Sequence, residues 1–546
     1  MIILGLNGWT ERGHDGGASI LENGKLTYAV EEEKLIGLRH AYDRIPNQSI
    51  SLILKERNLQ LDDIDVFSIG WDYPMLYGML SKEFISKSEM SKALFGTEKY
   101  AEKIKYVNHH QAHAFSTFYP SNFKDALVLI IDGQGEYMAT SIFEAHRETG
   151  EMKLLYETNI SLGYFYAGIT KHIGFFGGQE GKTMGLASYG NPVYLDELRK
   201  YINIDQNGDL KCAFSVKKQS KDEEDETLKI WSDILKNIIP ERKGKIIKVD
   251  EEIMPYADLA TSAQVLLEEI LKTLVTKYYK KTGITDIAIA GGVGLNCTSS
   301  SAIEALPFVT GVFIQPAAND GGISLGTAIK TAVDYGEKVE IEMIPYLGPA
   351  YSNNEIENEL KKWNLSYKRV DNIEEVIAKL LSKQNIVANF QGRLEFGPRA
   401  LGNRSLLADP RTKEMLIRLN TLKGREVWRP LAPAVLFEHQ GEYFDYEGFT
   451  PHMTKTCNVL KEQQKQLKAI THVDGTARVQ SVTRKYNKRF YEIINEFYKI
   501  AGIPVVINTS FNVKGEPIVC TPKDAIRSSK EMNLDYLAIG DFIVKL

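Results

Sequence analysis

The chain has 546 residues, 43% of them hydrophobic and 25% charged, with a formal net charge of −5. That length predicts two or three domains with room for real cores, and the mild acidity argues against a protein that coats nucleic acid or an anionic membrane. No run of about 18 apolar residues predicts a membrane span. Cys212, Cys297, Cys457 and Cys520 are far apart with no C-x-x-C between them. This pattern disfavours a disulfide framework or a thiolate zinc knuckle and fits a reducing cytoplasm. The opening MIILGLNGWTERGHDGG lacks the basic region of a signal peptide, so none is expected.

In chain order, the first apolar run, Ile2 to Leu6, ends at Asn7-Gly8. The string Asn108-His109-His110-Gln111-Ala112-His113 follows, with three imidazoles within five residues. If helical, it puts His109 and His113 on one face a turn apart. Neutral imidazole is a common transition-metal ligand, and an acidic third ligand, with Asp320 as candidate, would complete an open site. Ala126 to Ile131 then runs into Asp132-Gly133-Gln134-Gly135-Glu136. Lys217 to Glu226, KKQSKDEEDE, reads as a solvated surface insertion. Leu259 to Tyr278 reads as an amphipathic helix stopped by Gly283, with Ala263, Leu266, Leu267, Ile270, Leu271, Leu274 and Val275 as its stripe. Another strand, Ile287 to Ala290, ends at Gly291-Gly292. Strand-to-glycine turns of this kind bring backbone N–H groups close to a ligand. The Asp-Gly-x-Gly and Gly-Gly-x-Gly turns at 132 and 291 look like a loose duplication.

Punctuation by Pro345, Gly348 and Pro349 predicts a domain boundary, giving domains 1–345 and 346–546. Beyond it, Ile386 to Phe390 and Val505 to Ile507 read as further strands. Gly392 to Arg411 carries Arg393, Arg399, Arg404 and Arg411 among glycines and prolines. Lys423, Arg425 and Arg429 follow, then Arg478, then Asn508, Thr509, Ser510 and Asn512 at a strand end. Arginine forks match phosphate or carboxylate oxygens, and such a convergence suits a small dianionic substrate.

Paired glycine loops suggest an α/β nucleotide-binding domain of the actin/hexokinase-like (ASKHA) kind, with two similar halves around ATP. Longer motifs narrow this. HDGGAS (14–19), EEEKLIGLRH (31–40), NHHQAHAFSTFYPS (108–121), DGQGEYMAT (132–140), GKTMGLASYG (181–190), GGVGLN (291–296) and PAANDGGISLG (316–326) come first. EFGPRALGNRS (395–405), KGREVWRPLAPAV (423–435), DGTARVQ (474–480) and NTSFNVKGEPIVCTP (508–522) follow. Together they resemble the O-carbamoyltransferases of the NodU/CmcH type over nearly the whole chain. The resemblance implies an N-terminal ASKHA domain, similar to the TsaD threonylcarbamoyl transferases, joined to a C-terminal YrdC-like α/β domain.

It also implies a reaction in three steps. Carbamoyl phosphate is hydrolysed to carbamate at the YrdC-like site, and carbamate passes internally to attack ATP, giving carbamoyl adenylate and pyrophosphate. The carbamoyl group then goes to a hydroxyl of a small-molecule acceptor, a natural product or sugar. By resemblance, His109, His113 and Asp320 hold a divalent metal, Fe(II) first, with Zn and Mn open on ligand type and Mg2+ accompanying ATP. Asp132, Gly133, Gly135, Gly291, Gly292 and Asn296 line the nucleotide. Asp320 reaches it through the metal, and Lys182 meets a phosphate or the adenylate. His14 is the candidate base for the acceptor hydroxyl. Arg399 and Asp132 complete the catalytic set, and Arg399, Lys423, Arg429, Arg478, Asn508 and Ser510 bind carbamoyl phosphate.

The chain departs from the family pattern at Gly16, Lys34, Arg39, Ser188, Gly294 and Asn319, where Ala, Arg, Lys, Pro, Ala and Gly are usual. None removes a candidate catalytic group, so an active enzyme is expected. Competing readings are a tRNA threonylcarbamoyl transferase, disfavoured by the absence of a basic run, an ASKHA-fold kinase, which leaves the C-terminal arginines unused, and a non-catalytic nucleotide-binding regulator. No nucleic-acid or membrane partner is expected. Trp71 to Tyr77 and Tyr164-Phe165-Tyr166 are candidate acceptor contacts. The sequence leaves the acceptor's identity and the oligomeric state open, a homodimer included.

Overall fold

Two five-stranded sheets organise the first of two structural units in this computed structural model, which describes residues 1–9, 13–79, 85–215 and 223–546. In the first sheet β1 (Ile2–Asn7), β2 (Gly17–Glu22) and β3 (Lys25–Glu31) form an antiparallel meander. Parallel strands β4 (Val66–Ile69) and β5 (Ile104–Tyr106) extend it on the other side of β1, giving the order 3-2-1-4-5. In the second sheet β6 (Asp125–Ile131), β7 (Thr140–His146) and β8 (Met152–Thr158) form the meander. A small ribbon of β9 (Ile202–Ile204) and β10 (Leu210–Cys212) stands apart. Then β11 (Asp286–Ala290) and β12 (Gly311–Ile314) add parallel to β6, giving the order 12-11-6-7-8.

The two sheets share one topology, so the duplication is real but lies elsewhere than the glycine turns suggest. The strands before Asp132 and Gly291 are neighbours in one sheet, and the repeat relates whole sheets, with β1 matching β6. Both strands are central, and each is buried along nearly its whole length, as expected where parallel neighbours and helices cover both faces.

Two helices lie against these sheets and against each other. His109–Ser121 packs on β6, β11 and β12, and Ile323–Asp334 packs on β1, β2 and β4. Glycine sets how close they come. A Cβ at Gly326 would fall 1.7 Å from the Ala112 carbonyl oxygen, and one at Gly5 would fall 1.9 Å from that of Ser324. The crossing thus brings together the N-terminal ends from which the site is built.

The expected helix over 259–278 spans Met254–Thr282, and its apolar stripe is buried throughout. Pro255 sits in its first turn, and Gly283, at φ 75°, closes it by donating to Tyr279 O. Residues 217–222 of the charged stretch fall outside the described residues, and helix Glu223–Lys236 begins at its end.

The second unit comprises residues 33–39 and 344–546, and the first comprises 1–32 and 40–343. Its strands are β13 (Tyr367–Arg369), β14 (Val387–Phe390), β15 (Arg404–Ala408), β16 (Ala432–Leu436), the short pair β17 (Cys457–Asn458) and β18 (Thr476–Ala477), β19 (Gln480–Val482), β20 (Val505–Ser510), β21 (Tyr536–Ile539) and β22 (Phe542–Lys545). All but β17 and β18 form one mixed sheet in the order 13-22-21-14-15-20-16-19. Helices Ile373–Ser382 and Lys488–Ala501 pack on each other, and their apolar faces enter the core with Phe490, Phe497 and Phe390. The 33–39 segment is tied into this unit by Lys34, whose ammonium donates to Glu395 O at 2.8 Å and Gly397 O at 2.7 Å. Among the described residues, no helix is long and apolar enough to cross a membrane.

Candidate metal centre and candidate anion site

Asn108 caps the His109–Ser121 helix by accepting from Gln111 N at 3.1 Å, and the i, i+4 spacing brings the His109 and His113 rings to 4.7 Å between centroids. Asp132 follows β6, and Asp320 opens the short turn ahead of the Ile323–Asp334 helix. His109 Nε2 lies 3.2 Å from Asp132 Oδ2 and 3.5 Å from Asp320 Oδ1. His113 Nε2 lies 3.7 and 3.5 Å from the same two oxygens. All four residues are buried, and one donor atom from each lies within 4.8 Å of all the others. His113 has no hydrogen-bond partner on either ring nitrogen, and His109 has none on Nδ1. Two imidazoles and two carboxylates, buried, converging and incompletely hydrogen-bonded, fit a divalent transition metal. Asp132 joins the three donors that the sequence reading put together.

The electrostatics follow from burial against pairing. Burial would raise the Asp132 carboxyl, but His109 and His113 hold it well below the ordinary range. Asp320, likewise opposed by burial, is held down to about 2, chiefly by His109 and His14. His14 sits beside them, with Nδ1 3.2 Å from Asp15 Oδ2 and 4.0 Å from Asp320 Oδ2. Desolvation works against its charge, but Asp320, Asp15 and Asp132 outweigh it and raise the imidazole to about 10. Its side chain keeps 46% of its surface exposed, so solvent screens part of that field.

Glu136 braces the helix start. It accepts from His109 N at 2.9 and 3.1 Å, from Asn108 Nδ2 at 2.8 Å and from Asp72 N at 2.8 Å. A carboxylate there complements the positive helix end. Glu136 closes the DGQGE string, yet its role was not legible, because nothing in the sequence tells which backbone amides a carboxylate meets.

The glycine turns meet at Asp132, whose Oδ1 accepts from Gly292 N at 2.9 Å. Gly291 has φ 91°, and a Cβ there would fall 2.3 Å from Ile131 O. A Cβ at Gly135 would fall 2.8 Å from the His110 ring, and one at Gly133 would fall 3.2 Å from the Tyr164 ring. Asn296 caps the helix Cys297–Glu304 and exchanges hydrogen bonds with the Gln264 carboxamide. Lys182 lies on the helix Glu180–Ala187 with its ammonium over the Phe175 ring. Of the aromatic candidates, Trp71 lies on His109 at 4.0 Å between centroids, and Tyr164 donates to Gln134. Phe165 is core, packed on Trp231, and Tyr166 is buried with its hydroxyl on Gln264.

In the second unit, Lys423 ends the helix Lys413–Leu422, and its ammonium meets Ser510 O, Ser510 Oγ at 3.4 Å and Asn512 Oδ1 at 3.2 Å. Burial first, then Arg425 and Arg429, push Lys423 well below the usual lysine range. Arg425 is likewise depressed by burial, then by Arg429, Arg478 and Arg399, with Glu426 opposing. Arg478 Nε and Asn508 Oδ1 are buried without partners. An anion would relieve the mutual repulsion of these buried cations. Arg393, Arg404 and Arg411 are differently employed. Arg404 is fully buried with its guanidinium 3.7 Å from the Phe390 ring centroid, Arg393 donates to Gly348 O, and Arg411 pairs with Asp409 at 2.6 Å.

Comparison with known proteins gives the class. The family model for the carbamoyltransferase N-terminus matches residues 3–88 and 74–329, and that for the carbamoyltransferase C-terminus matches 378–545. The chain belongs to the carbamoyltransferase family. The nodulation protein NolNO of Sinorhizobium fredii is 34% identical over 97% of this chain and 79% of its own length. The 3'-hydroxymethylcephem-O-carbamoyltransferase of Amycolatopsis lactamdurans is 25% identical over 97% of each. Among solved structures, component A of the Acidaminococcus fermentans (R)-2-hydroxyglutaryl-CoA dehydratase covers 61% of this chain and 99% of its own. Its TM-score is 0.34 at 15% identity, a likeness too distant to carry an argument.

Proposed function

We propose that this transferase is an ATP-dependent O-carbamoyltransferase. Carbamoyl phosphate is hydrolysed to carbamate and phosphate in the second unit. Carbamate attacks the α-phosphorus of ATP to give carbamoyl adenylate and pyrophosphate, and an acceptor hydroxyl then takes the carbamoyl group and releases AMP. The repeated sheet topology supports the ASKHA reading of the first unit, and the second is read as YrdC-like from the resemblance.

The observation that carries this reading is the repelling cation set at Lys423, Arg425, Arg429 and Arg478. It suits a phosphate dianion and has no use in a simple kinase. Arg399, Lys423, Arg429 and Arg478 would clamp the phosphate, and Asn508 and Ser510 would orient the carbamoyl end. In the first unit, the turns at Gly133, Gly135, Gly291 and Gly292 offer backbone N–H groups to ATP, with Asn296 and Lys182 flanking. His109, His113, Asp132 and Asp320 would hold a divalent cation, Fe(II) by resemblance, which supplies a Lewis acid for phosphate or carbonyl oxygens. His14 would take the proton from the acceptor hydroxyl when neutral.

The test is to incubate the protein with carbamoyl phosphate and ATP, with and without Fe(II), and to follow pyrophosphate and carbamoyl adenylate by mass spectrometry. Both products are expected only when both substrates are present. Formation of ADP, or turnover indifferent to carbamoyl phosphate, would overturn the reading in favour of a kinase. Arg399→Ala should lose phosphate release from carbamoyl phosphate while ATP binding remains.

A further inference from the structure

Arg399 stands where its neighbours push it away. It is half-buried on the loop that runs from Glu395 to Asn403, and it is one of the cations that depress Arg425. On a loose loop, like-charge repulsion would swing Arg399 out to water, and an arriving anion would have to draw it back. The backbone on both sides of Arg399 is held instead. Gly397 O accepts from Lys34 Nζ at 2.7 Å, and Ala400 O accepts from Asn508 Nδ2 at 3.2 Å. Leu401 O accepts from Tyr346 Oη at 2.8 Å and from Gln480 Nε2 at 3.0 Å, and Gly402 O accepts from Asn389 Nδ2 at 2.8 Å.

The amides of the same stretch converge on one atom. Leu401 N, Asn403 N and Arg404 N donate to Glu395 Oε1 at 2.9, 2.8 and 3.0 Å. Glu395 is 1% exposed, and its charge is answered by the fully buried Arg404, which donates to Gln391 O and Asn403 O. Opposite charges thus grip Asn403 by both of its backbone groups. A buried loop must satisfy its peptide groups, but neutral side chains would do, and a buried carboxylate is the costlier choice. What the carboxylate adds is stiffness, since hydrogen bonds to a charged acceptor are roughly twice as strong as neutral ones.

We propose that Glu395 is a positioning residue for anion binding in the second unit: it fixes the loop backbone and so holds Arg399 against the repulsion of the neighbouring cations. That the anion is the phosphate of carbamoyl phosphate rests on the carbamoyl-transfer reading. The test is a 31P NMR titration of the full chain with inorganic phosphate, run as a double-mutant cycle over Glu395→Gln and Arg399→Ala. Glu395→Gln removes the charge and keeps an amide oxygen in its place. It should weaken phosphate binding about tenfold, the loss expected if Arg399 is then in position a tenth of the time. In the Arg399→Ala background the same change should cost less than about twofold, because the loop then has no cation to deliver. Undiminished binding by Glu395→Gln, or equal losses in the two backgrounds, would overturn the proposal.

Tyr346→Phe removes only a hydroxyl from the Leu401 carbonyl and repeats the cycle should Glu395→Gln not fold. A loss of about threefold is expected, absent in Arg399→Ala; no loss, or one that persists there, would count against the proposal in the same way. In hydrolysis of carbamoyl phosphate the Glu395→Gln defect should fall on KM, with kcat within about twofold of the parent. A fall in kcat at unchanged KM would mark a merely destabilised fold and overturn the positioning role. If Arg399→Ala by itself leaves phosphate binding intact, the placing of Arg399 at the anion fails and the proposal with it. If the parent protein does not hydrolyse carbamoyl phosphate but the phosphate cycle behaves as stated, the carbamoyl-transfer reading fails and the positioning role stands.

Discussion

Asp132→Asn isolates one charge in the donor cluster. Asp132 Oδ1 accepts the Gly292 N–H at 2.9 Å, and an asparagine Oδ1 can keep that bond, so the turn is retained. What disappears is the negative charge on the edge facing His109 and His113, 3.2 and 3.7 Å from their Nε2 atoms. A pair of unit charges 4 Å apart at an effective dielectric of 20 interacts by about 4 kcal/mol, and water and relaxation return part of that to a divalent ion. A net loss of about 3 kcal/mol corresponds to roughly 100-fold weaker metal binding. The assay is titration of metal-free protein with Co(II), read by its visible absorbance, with Asp320→Asn alongside. A Co(II) affinity for Asp132→Asn within about threefold of the parent would refute the reasoning and leave Asp132 as a loop residue alone.

Phosphate binding at the second unit should take up a proton. Lys423 is depressed by burial and neighbouring cations, an incoming anion favours its charged form, and affinity should therefore fall as pH rises from that depressed value towards the ordinary lysine range. Calorimetry of inorganic phosphate binding in buffers of different ionisation enthalpy checks this, and Lys423→Met should abolish the uptake. Gly326→Ala should destabilise the protein by about 3 kcal/mol or more by forcing the two helices apart at Ala112 O; an unchanged urea midpoint would contradict so close a crossing. Glu32→Ala should cost about 2–3 kcal/mol by the same measurement. Glu32 accepts from Gln48 N, Ser49 N and Ser49 Oγ at the start of the helix Asn47–Arg57, where Pro46 offers no side-chain cap.

What could be read from the sequence was local. The stripe of the Met254–Thr282 helix and its glycine stop follow from spacing within one element, and the histidine pair needs only the helical period. Features that depend on which segments meet were hidden. The topological repeat joins strands interrupted by more than a hundred residues, and no local period records it. Lys34 is an unremarkable charge in a helical stretch until its ammonium is seen on the carbonyls of Glu395 and Gly397. Arg404 shows the opposite failure. It reads like its neighbour Arg399, but it is fully buried and spends its donors on the backbone oxygens of Gln391 and Asn403.

The net charge of −5 conceals two opposite fields. In the first unit, carboxylates gather around imidazoles at the N-terminal ends of two crossing helices, and they stay ionised against burial because the imidazoles are there. In the second, cations gather with Glu426 in partial opposition and lose basicity through burial and mutual repulsion. Each arrangement is costly alone and would be relieved by a ligand of opposite sign, a divalent cation in one and a dianion in the other. Ligand-free protein should therefore gain stability from Co(II) and from inorganic phosphate separately. Because the two sites draw on different residues, Asp132→Asn should remove the first gain and leave the second, while Lys423→Met should do the reverse. Loss of both gains in either variant would show that the two charge clusters do not bind independently.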